Sequence, residues 1–239
     1  MTAENTNPRA GIIGGMGPQT SSQFCLNINM KFRQLANRQP DMVIENVPIS
    51  LEDETELING GNPKNFRALL TGAVRKLNHA HSDFIAVPCN TAHFFLEDLR
   101  KISSAPIISI IDECALECSS RNIKIAGLLA TPKTIKERLF EAPMKEAGVD
   151  IILPSEADQK MITNIIFGLI SNRARKKDST GILKIIRRLR DNGAEAVVIG
   201  CTDISLLISD KNSAIPVIET VRILEDSVIK MLLHGKMPK

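Results

Sequence analysis

The sequence predicts an α/β fold of two similar domains, each with a parallel β-sheet covered by helices, related by pseudo-twofold symmetry. Two observations lead to this class. Short runs rich in β-branched residues alternate with longer segments of helical periodicity, which is typical of βαβ units. Three motifs of the first half also recur in the second half, in the same order. With 239 residues, 43% of them hydrophobic, the chain is long enough to bury the core of one large or two small domains.

Eight apolar runs are predicted to form the strands. Between several of them lie segments in which apolar residues recur three and four positions apart, as in Phe66–Leu77, and these are predicted to be helices. A further helix is predicted over Val221–Leu233. The predicted strands are Ala10–Ile13, Met42–Ile49, Phe84–Val87, Ile107–Ile111, Ile123–Leu129, Val149–Leu153, Ala196–Ile199 and Pro216–Ile218.

The internal repeat indicates that one α/β unit is duplicated along the chain. Three pairs of segments correspond: Ala10–Gly15 with Ala126–Thr131, Phe84–Thr91 with Ala196–Thr202, and Ala105–Ile108 with Ile215–Ile218. Each Pro-led strand follows the cysteine-containing segment of its own half. We therefore predict a first domain of residues 1–108 plus 217–239, a second domain of residues 109–216, and an active site in the cleft between them.

Composition argues against several classes of protein. A formal net charge of +3 gives no reason to expect nucleic acid or membrane as a partner. No apolar run reaches the roughly 18 residues of a membrane-spanning helix, and the polar start Met1–Thr6 lacks the apolar segment of a signal peptide. The five scattered cysteines are expected to be reduced thiols in the cytoplasm. Cys114 and Cys118 lack a second ligand pair nearby, so we expect no metal site.

Two cysteines, Cys89 and Cys201, each follow a predicted strand at its carboxyl end, where ligand sites on parallel sheets lie. A helix that begins there would present free N–H groups, which lower the pKa of a thiol and can hold a carboxylate. Asn90, Thr91 and Thr202 add short polar side chains for capping or substrate contact. One cysteine alone is more often a core residue. Two at matching positions of a repeat favour a functional interpretation.

Duplicated turns that face each other across a cleft would place two thiols on opposite sides of one bound molecule. A thiolate could remove a proton from one face of a carbon atom, and the opposite thiol could return a proton to the other face. Helix-end N–H groups would stabilise the negative charge that develops on a neighbouring carboxylate. This arrangement predicts inversion at a carbon atom that bears a removable proton.

The glycine loop Gly14–Pro18 does not fit a nucleotide site. It lacks the G-x-G-x-x-G spacing and the Walker A lysine, and Pro18 removes a backbone donor. We interpret it as a tight strand-to-helix turn that lets Met16 border the cleft, with Thr131–Thr134 as its counterpart. His93, four residues after Cys89, could either tune that cysteine or serve in packing.

Taken together, these motifs resemble the aspartate/glutamate racemase family, from about Gly11 to about Val228. The resemblance implies two α/β domains with the site between them, no pyridoxal phosphate or other cofactor, no metal, and often a dimer. It also implies roles for individual residues. The catalytic pair falls on Cys89 and Cys201, and the substrate-binding positions fall on Met16, Asn90, Thr91, Thr131 and Thr202.

The sequence departs from that family at its cationic positions. Where aspartate racemases carry an arginine in Pro-Asp-Arg-Thr, Leu51–Thr55 places Glu54, and a later lysine aligns with Ser171. Arg173 or Lys64 could substitute for these cations. Asp203 stands where the family usually has glutamate. Glu54 is therefore a predicted substrate-binding residue that suits a basic or neutral amino acid better than an acidic one.

The sequence thus predicts a cofactor-independent amino-acid racemase that uses two cysteines, acts on a small-molecule amino acid, and forms a cytoplasmic homodimer without nucleic-acid or membrane partners. Two alternatives remain at this point. One is a maleate isomerase or hydantoin racemase, which use similar paired cysteines. The other is a ligand-binding protein that has lost turnover.

Overall fold

The computed structural model describes residues 8–173 and 176–235. Its strands form two separate four-stranded sheets in which every pairing is parallel. Each of the eight predicted runs overlaps one strand, so the predicted α/β class with two parallel sheets is confirmed. The strands are β1 (Arg9–Gly14), β2 (Asp41–Asn46), β3 (Phe84–Ala86), β4 (Ile107–Ile108), β5 (Ile125–Leu129), β6 (Asp150–Ile152), β7 (Ala196–Ile199) and β8 (Val217–Glu219).

The two sheets repeat the same topology. The first has the order β2-β1-β3-β4 and the second has the order β6-β5-β7-β8. In each sheet the first strand of the half lies in the interior, between the second and third strands. The sequence motifs that recur between the halves therefore occupy equivalent strands, which explains why they recur in the same order.

Ten α-helices accompany the strands in the described residues. The helices predicted over Phe66–Leu77 and Val221–Leu233 are present with slightly wider bounds, because their apolar faces pack onto the sheets. The helices are α1 (Pro18–Ala36), α2 (Leu51–Ile58), α3 (Phe66–His79), α4 (Leu96–Ile102), α5 (Ile110–Ser120), α6 (Pro132–Lys136), α7 (Glu141–Glu146), α8 (Glu156–Ile170), α9 (Lys176–Asp191) and α10 (Thr220–His234).

Helix α2 matters most for the site described below, and its start is well specified. Ser50 precedes the helix in extended conformation, and its side-chain oxygen accepts the backbone N–H of Asp53 at 3.0 Å. Glu52, Asp53 and Glu54 fill the first turn, where negative charge complements the helix dipole. The apolar end of the helix, Leu57 and Ile58, is buried.

The chain crosses between the halves at two places. After β4 it enters α5, and after β8 it enters α10; these two helices pack against each other, and α10 also packs against α1. Val217–Glu219, which the predicted division assigns to the first domain, pair with β7 in the second sheet. Residues 1–7, 174–175 and 236–239 of the predicted domains lie outside the described residues. The division itself stays a prediction.

Within the described ranges, no helix has both the length and the apolar character needed to cross a membrane. All five cysteines are free thiols. No group of three or more His, Cys, Asp and Glu side chains in the same ranges is arranged to hold a metal ion.

Candidate active site

A small cavity of about 40 Å³ lies where turns from both sheets meet. The structure brings together all eight residues that the sequence predicts for the site, and each of them lines this cavity. Their roles in binding and catalysis stay predictions, but their common location is a structural fact. The eight residues are Met16, Glu54, Cys89, Asn90, Thr91, Thr131, Cys201 and Thr202.

The two cysteine turns have closely similar local geometry. Cys89 comes shortly after β3 and Cys201 shortly after β7. The predicted helix after each turn is present as a 3₁₀ helix, over Thr91–Phe95 and Thr202–Leu206. The second and third residues after each cysteine direct their backbone N–H groups at its sulfur: Thr91 and Ala92 for Cys89, and Asp203 and Ile204 for Cys201. The duplication therefore supplies both sulfurs with the same pair of donors.

These donors act to lower the pKa of each thiol, as expected, but the expectation that the net pKa is lowered is wrong for this arrangement. Burial raises the pKa of Cys89 to about 12, and the charges of Asp203 and Glu54 add to this effect, outweighing the backbone donors. Burial also raises the pKa of Cys201 well above its usual value, with a further contribution from Asp203. Both groups are therefore neutral thiols near neutral pH while the cavity is closed.

Threonine side chains hold the two halves together over the cavity. The hydroxyl oxygens of Thr91 and Thr131 lie 3.0 Å apart, and that of Thr134 lies within 3.2 Å of both. On the other side, the Thr202 hydroxyl donates to the carbonyl oxygen of Pro88 at 3.3 Å. The bonds of Thr91 to Thr131 and Thr134, and that of Thr202 to Pro88, therefore join residues of opposite halves at the cavity.

Asn90 is almost fully buried, and its amide orientation follows from its neighbours. The hydroxyl of Thr220 donates to the carbonyl oxygen of Ile199 at 2.8 Å. That hydroxyl must therefore accept from Asn90, whose Nδ2 lies 3.0 Å away. The other amide atom is then Oδ1, which has no hydrogen-bond partner among the described residues. Asn90 thus offers a buried acceptor in the wall of the cavity.

Two carboxylates also line the cavity. Glu54, on α2, accepts the backbone N–H of Gly17 at 3.5 Å, and Asp203 accepts the hydroxyl of Thr20 at 2.5 Å. Burial raises the pKa of both groups, and the charge of Asp203 further raises the pKa of Glu54. No lysine, arginine or histidine lines the cavity in the part of the chain that the structure describes.

Asp203 was not among the predicted site residues, although the repeat contained a signal. It occupies the position after Cys201 that Thr91 occupies after Cys89, so alignment of the two turns would have placed it in the cavity. The other additional lining residues are glycines or aliphatic residues without a chemical marker in the sequence. They are Gly17, Ile49, Leu57, Ile58, Ile166, Ile170 and Gly200.

Three residues that align with a cation of the family, or could substitute for one, do not line the cavity. Ser171 follows the last residue of α8, and Ile170 beside it lines the cavity instead. Neither Arg173 nor Lys64 lines the cavity. The positions at which the sequence lacks the cations of aspartate racemases therefore correspond to a cavity wall with acidic and aliphatic side chains.

His93 has a structural position, which answers the question left open by the sequence. Its Nε2 accepts the backbone N–H of Ile110 at 3.1 Å, so Nδ1 carries the proton and donates to the carbonyl oxygen of Cys89 at 2.9 Å. Burial lowers the pKa of His93 to about 4, and the ring is neutral at higher pH. The imidazole therefore braces the backbone of the cysteine turn against α5.

Size alone does not locate the site. A larger cavity of about 290 Å³ lies beside β6, α6 and α7, and neither Cys89 nor Cys201 lines it. The small cavity is distinguished by its chemistry: two thiols on equivalent turns, backbone donors at each sulfur, and a buried acceptor.

The sequence pattern of the family described as Asp/Glu/hydantoin racemase matches residues 13–227. The chain belongs to this family. The match spans both cysteine turns and both sheets, and it confirms the resemblance read from the motifs.

Individual relatives agree with this assignment. The broad specificity amino-acid racemase RacX of Bacillus subtilis is 26% identical over 228 residues, which are 93% of this chain and 97% of that protein. The aspartate racemase of Picrophilus torridus has a TM-score of 0.77 at 24% identity, with 97% of this chain and 96% of that chain covered. An aspartate racemase homologue from Pyrococcus horikoshii has a TM-score of 0.76 at 23% identity, with 95% and 99% covered. At these identities the two structures show a shared fold, with the two-domain architecture of the family's racemases.

Proposed function

We propose that this protein is a cofactor-independent amino-acid racemase in which Cys89 and Cys201 exchange the α-proton of the substrate. One observation carries the proposal: both sulfurs line a single cavity, from equivalent turns of the duplicated halves. Asn90, Thr91, Thr131, Thr202 and Met16 line the same cavity and would surround the substrate.

One of the two thiols must first lose its proton to solvent; from the resulting thiolate and the remaining thiol, the reaction balances without any further group. The thiolate of one cysteine removes the α-proton, and the electron pair of the C–H bond passes into the substrate carboxylate, which becomes an enediolate. The thiol of the other cysteine then protonates the opposite face of the α-carbon, and its own sulfur is left as the thiolate. The hydroxyl groups of Thr91, Thr131 and Thr202, which line the cavity, would stabilise the charge on the carboxylate. The reverse reaction exchanges the roles of the two sulfurs.

The closed cavity must widen before an amino acid can enter. Its volume of about 40 Å³ is well below the roughly 300–1,000 Å³ of typical ligand pockets. The hydroxyls of Thr91 and Thr202 bond across the cavity to the opposite half, so local separation of these turns is the route of entry that we propose. Widening also admits water to the buried thiols, which removes the largest cause of their raised pKa and favours formation of the thiolate.

The experiment is exchange of the α-proton in D₂O, followed by NMR, together with optical rotation to detect inversion. We expect Cys89→Ala and Cys201→Ala each to abolish racemisation, because each variant lacks one of the two proton carriers. Cys25→Ala is the matched control, since Cys25 is a buried thiol of α1 outside the cavity. Full turnover in either of the first two variants would contradict the mechanism.

The same assay separates the alternatives. Turnover of maleate or a hydantoin, without exchange of any amino acid, would identify a different reaction in the same family. Binding of amino acids without any exchange would identify a ligand-binding protein. Aspartate and glutamate are expected to be poor substrates, because their second carboxylate would meet the carboxylates of Glu54 and Asp203 in the cavity wall.

We further propose that the protein acts as a cytoplasmic homodimer, as the family resemblance implies, on small-molecule substrates without nucleic-acid or membrane partners. Exposed apolar side chains support an association surface: Leu26 and Met30 on α1, and Ile44 on β2, which is an edge strand of its sheet. The molar mass in solution by light scattering tests the dimer.

A further inference from the structure

We propose, on the basis of the racemase function proposed above, that the substrate carries a positively charged side chain and that Glu54 and Asp203 together bind this charge. The substrate class is thus the basic amino acids, with an ammonium or guanidinium group at the end of an aliphatic chain.

The two carboxylates approach the same point from opposite halves of the molecule. Glu54 belongs to α2 of the first half, and Asp203 belongs to the turn after β7 in the second half. Both contact Gly17. Its N–H reaches Glu54, and an added Cβ atom on Gly17 would lie only 2.5 Å from Oδ1 of Asp203. Asp203 is buried and Glu54 is partly buried, no cation of the described chain lines their cavity, and the charge of Asp203 raises the pKa of Glu54; a bound cation would offset this repulsion.

Asn90 gives an independent indication that the cavity binds a ligand with a hydrogen-bond donor. Its Oδ1 is a buried acceptor without a partner among the described residues, and its residue lines the same cavity. A buried acceptor of this kind calls for a donor from the ligand. The α-ammonium group of an amino acid supplies that donor, which leaves the two carboxylates for a second cation.

The charges of the possible substrates can then be compared. In the proposed binding mode, the threonine hydroxyls that line the cavity hold the α-carboxylate, and Asn90 accepts from the α-ammonium group. An acidic substrate adds negative charge to a cavity that already contains two carboxylates. A substrate with a neutral side chain provides no cation for either of them. A basic substrate offsets them and packs its methylene groups against aliphatic side chains such as Leu57, Ile166 and Ile170.

A bound cation would also assist the proposed chemistry. The negative charges of Asp203 and Glu54 contribute to the raised pKa of Cys89, and that of Asp203 contributes to the raised pKa of Cys201. A positive group between the carboxylates reduces their repulsion of a cysteine thiolate. A basic substrate would therefore favour the thiolate that removes its α-proton.

The test compares L-lysine with L-norleucine, which has the same carbon chain and α-ammonium group but no ammonium group on its side chain. For the unmodified protein we expect kcat/KM for racemisation to be higher for lysine by about 10-fold to 100-fold, as a charge-assisted hydrogen bond provides. Glu54→Gln and Asp203→Asn should each reduce this lysine-to-norleucine ratio by about tenfold. Glu52→Gln is the matched control, because Glu52 is an exposed carboxylate on the same helix outside the cavity, and it should leave the ratio unchanged.

The outcomes are distinct. Equal kcat/KM for lysine and norleucine in the unmodified protein overturns the inference without any variant, and so does an equal loss for both substrates in Glu54→Gln and Asp203→Asn. The latter result would mean that the carboxylates act on the α-ammonium group or on the fold. In either case, exchange of the α-proton of norleucine would still support the proposed racemase function. Absence of α-proton exchange with every amino acid would instead remove the proposed function itself.

Discussion

Gly17 is the position where a single methyl group tests the geometry of the site most directly. Its backbone is left-handed, with φ 72°, and Asp203 fills the space where a side chain would begin. Gly148 provides the matched control, since its φ is 74° and no atom lies within 4 Å of the position of an added Cβ. Alanine at Gly148 therefore measures the left-handed strain alone, whereas alanine at Gly17 adds the collision with the carboxylate.

The magnitudes follow from these contacts. Gly148→Ala should lower the free energy of unfolding by about 1 kcal/mol, the usual cost of a left-handed non-glycine residue. Gly17→Ala places Cβ at 2.5 Å from Oδ1 and 3.0 Å from Cγ of Asp203, distances at which one group must move. Because the hydroxyl of Thr20 holds that carboxylate at 2.5 Å, movement strains the turn or breaks this bond. We expect a total loss of about 2–4 kcal/mol, and a decrease in Tm of about 10 °C.

The assay is urea unfolding followed by far-UV circular dichroism, because the chain contains neither tryptophan nor tyrosine for fluorescence. A double-mutant cycle completes the design: in an Asp203→Ala background, the cost of Gly17→Ala should fall to that of Gly148→Ala. Equal costs for the two glycine substitutions in the unmodified background, or a cycle without coupling, would refute the placement of Asp203 against Gly17.

Two further substitutions probe how the site is supported. The pKa of His93 is lowered to about 4 from the ordinary 6.5, so its contribution to stability is complete above pH 6.5 and is lost as the pH falls towards 4. Between pH 6.5 and 4, His93→Gln should reduce the change of the unfolding free energy with pH by about 3 kcal/mol. Urea unfolding at several pH values measures this change. The same pH dependence in the variant and the unmodified protein would contradict the lowered pKa of His93. Lys133 is fully buried, with its ammonium group hydrogen-bonded to Asn62 at 2.6 Å and to Glu137 at 2.8 Å. Lys133→Met should lower the unfolding free energy by about 1–3 kcal/mol, since Glu137 is partly exposed and can rehydrate. Lys136→Met, which removes only a 3.3 Å bond to the Gly60 carbonyl oxygen, should have a smaller effect, and a gain in stability for Lys133→Met would show that desolvation outweighs the bonds.

The strands and the cysteine turns were predictable because they depend on local sequence. Apolar runs such as Phe84–Val87 and Ala196–Ile199 specify buried strands whatever surrounds them, and each placed the following cysteine at the carboxyl end of a strand. The internal repeat further predicted that both halves share one topology. The two sheets confirm this, because their strands follow the same order.

Other features required the packed structure. Ile166 and Ile170 lie on α8 and resemble ordinary core residues in the sequence, yet they line the cavity. Asp203 looked like a minor change beside Cys201, but the approach of the two halves places it against Gly17. The direction of the cysteine pKa shifts was also wrong in the sequence interpretation, because local donors were visible and burial was not.

The sequence by itself determined the two parallel sheets, the duplicated order of strands and the pair of thiols, since periodicity and turn residues act within a few positions of the chain. Only the tertiary structure decided that eight predicted residues share one cavity, that this cavity is acidic, and that its thiols are protonated when it is closed. Burial and electrostatic repulsion depend on which groups the fold brings together, and Glu54 and Asp203 come from opposite halves of the chain.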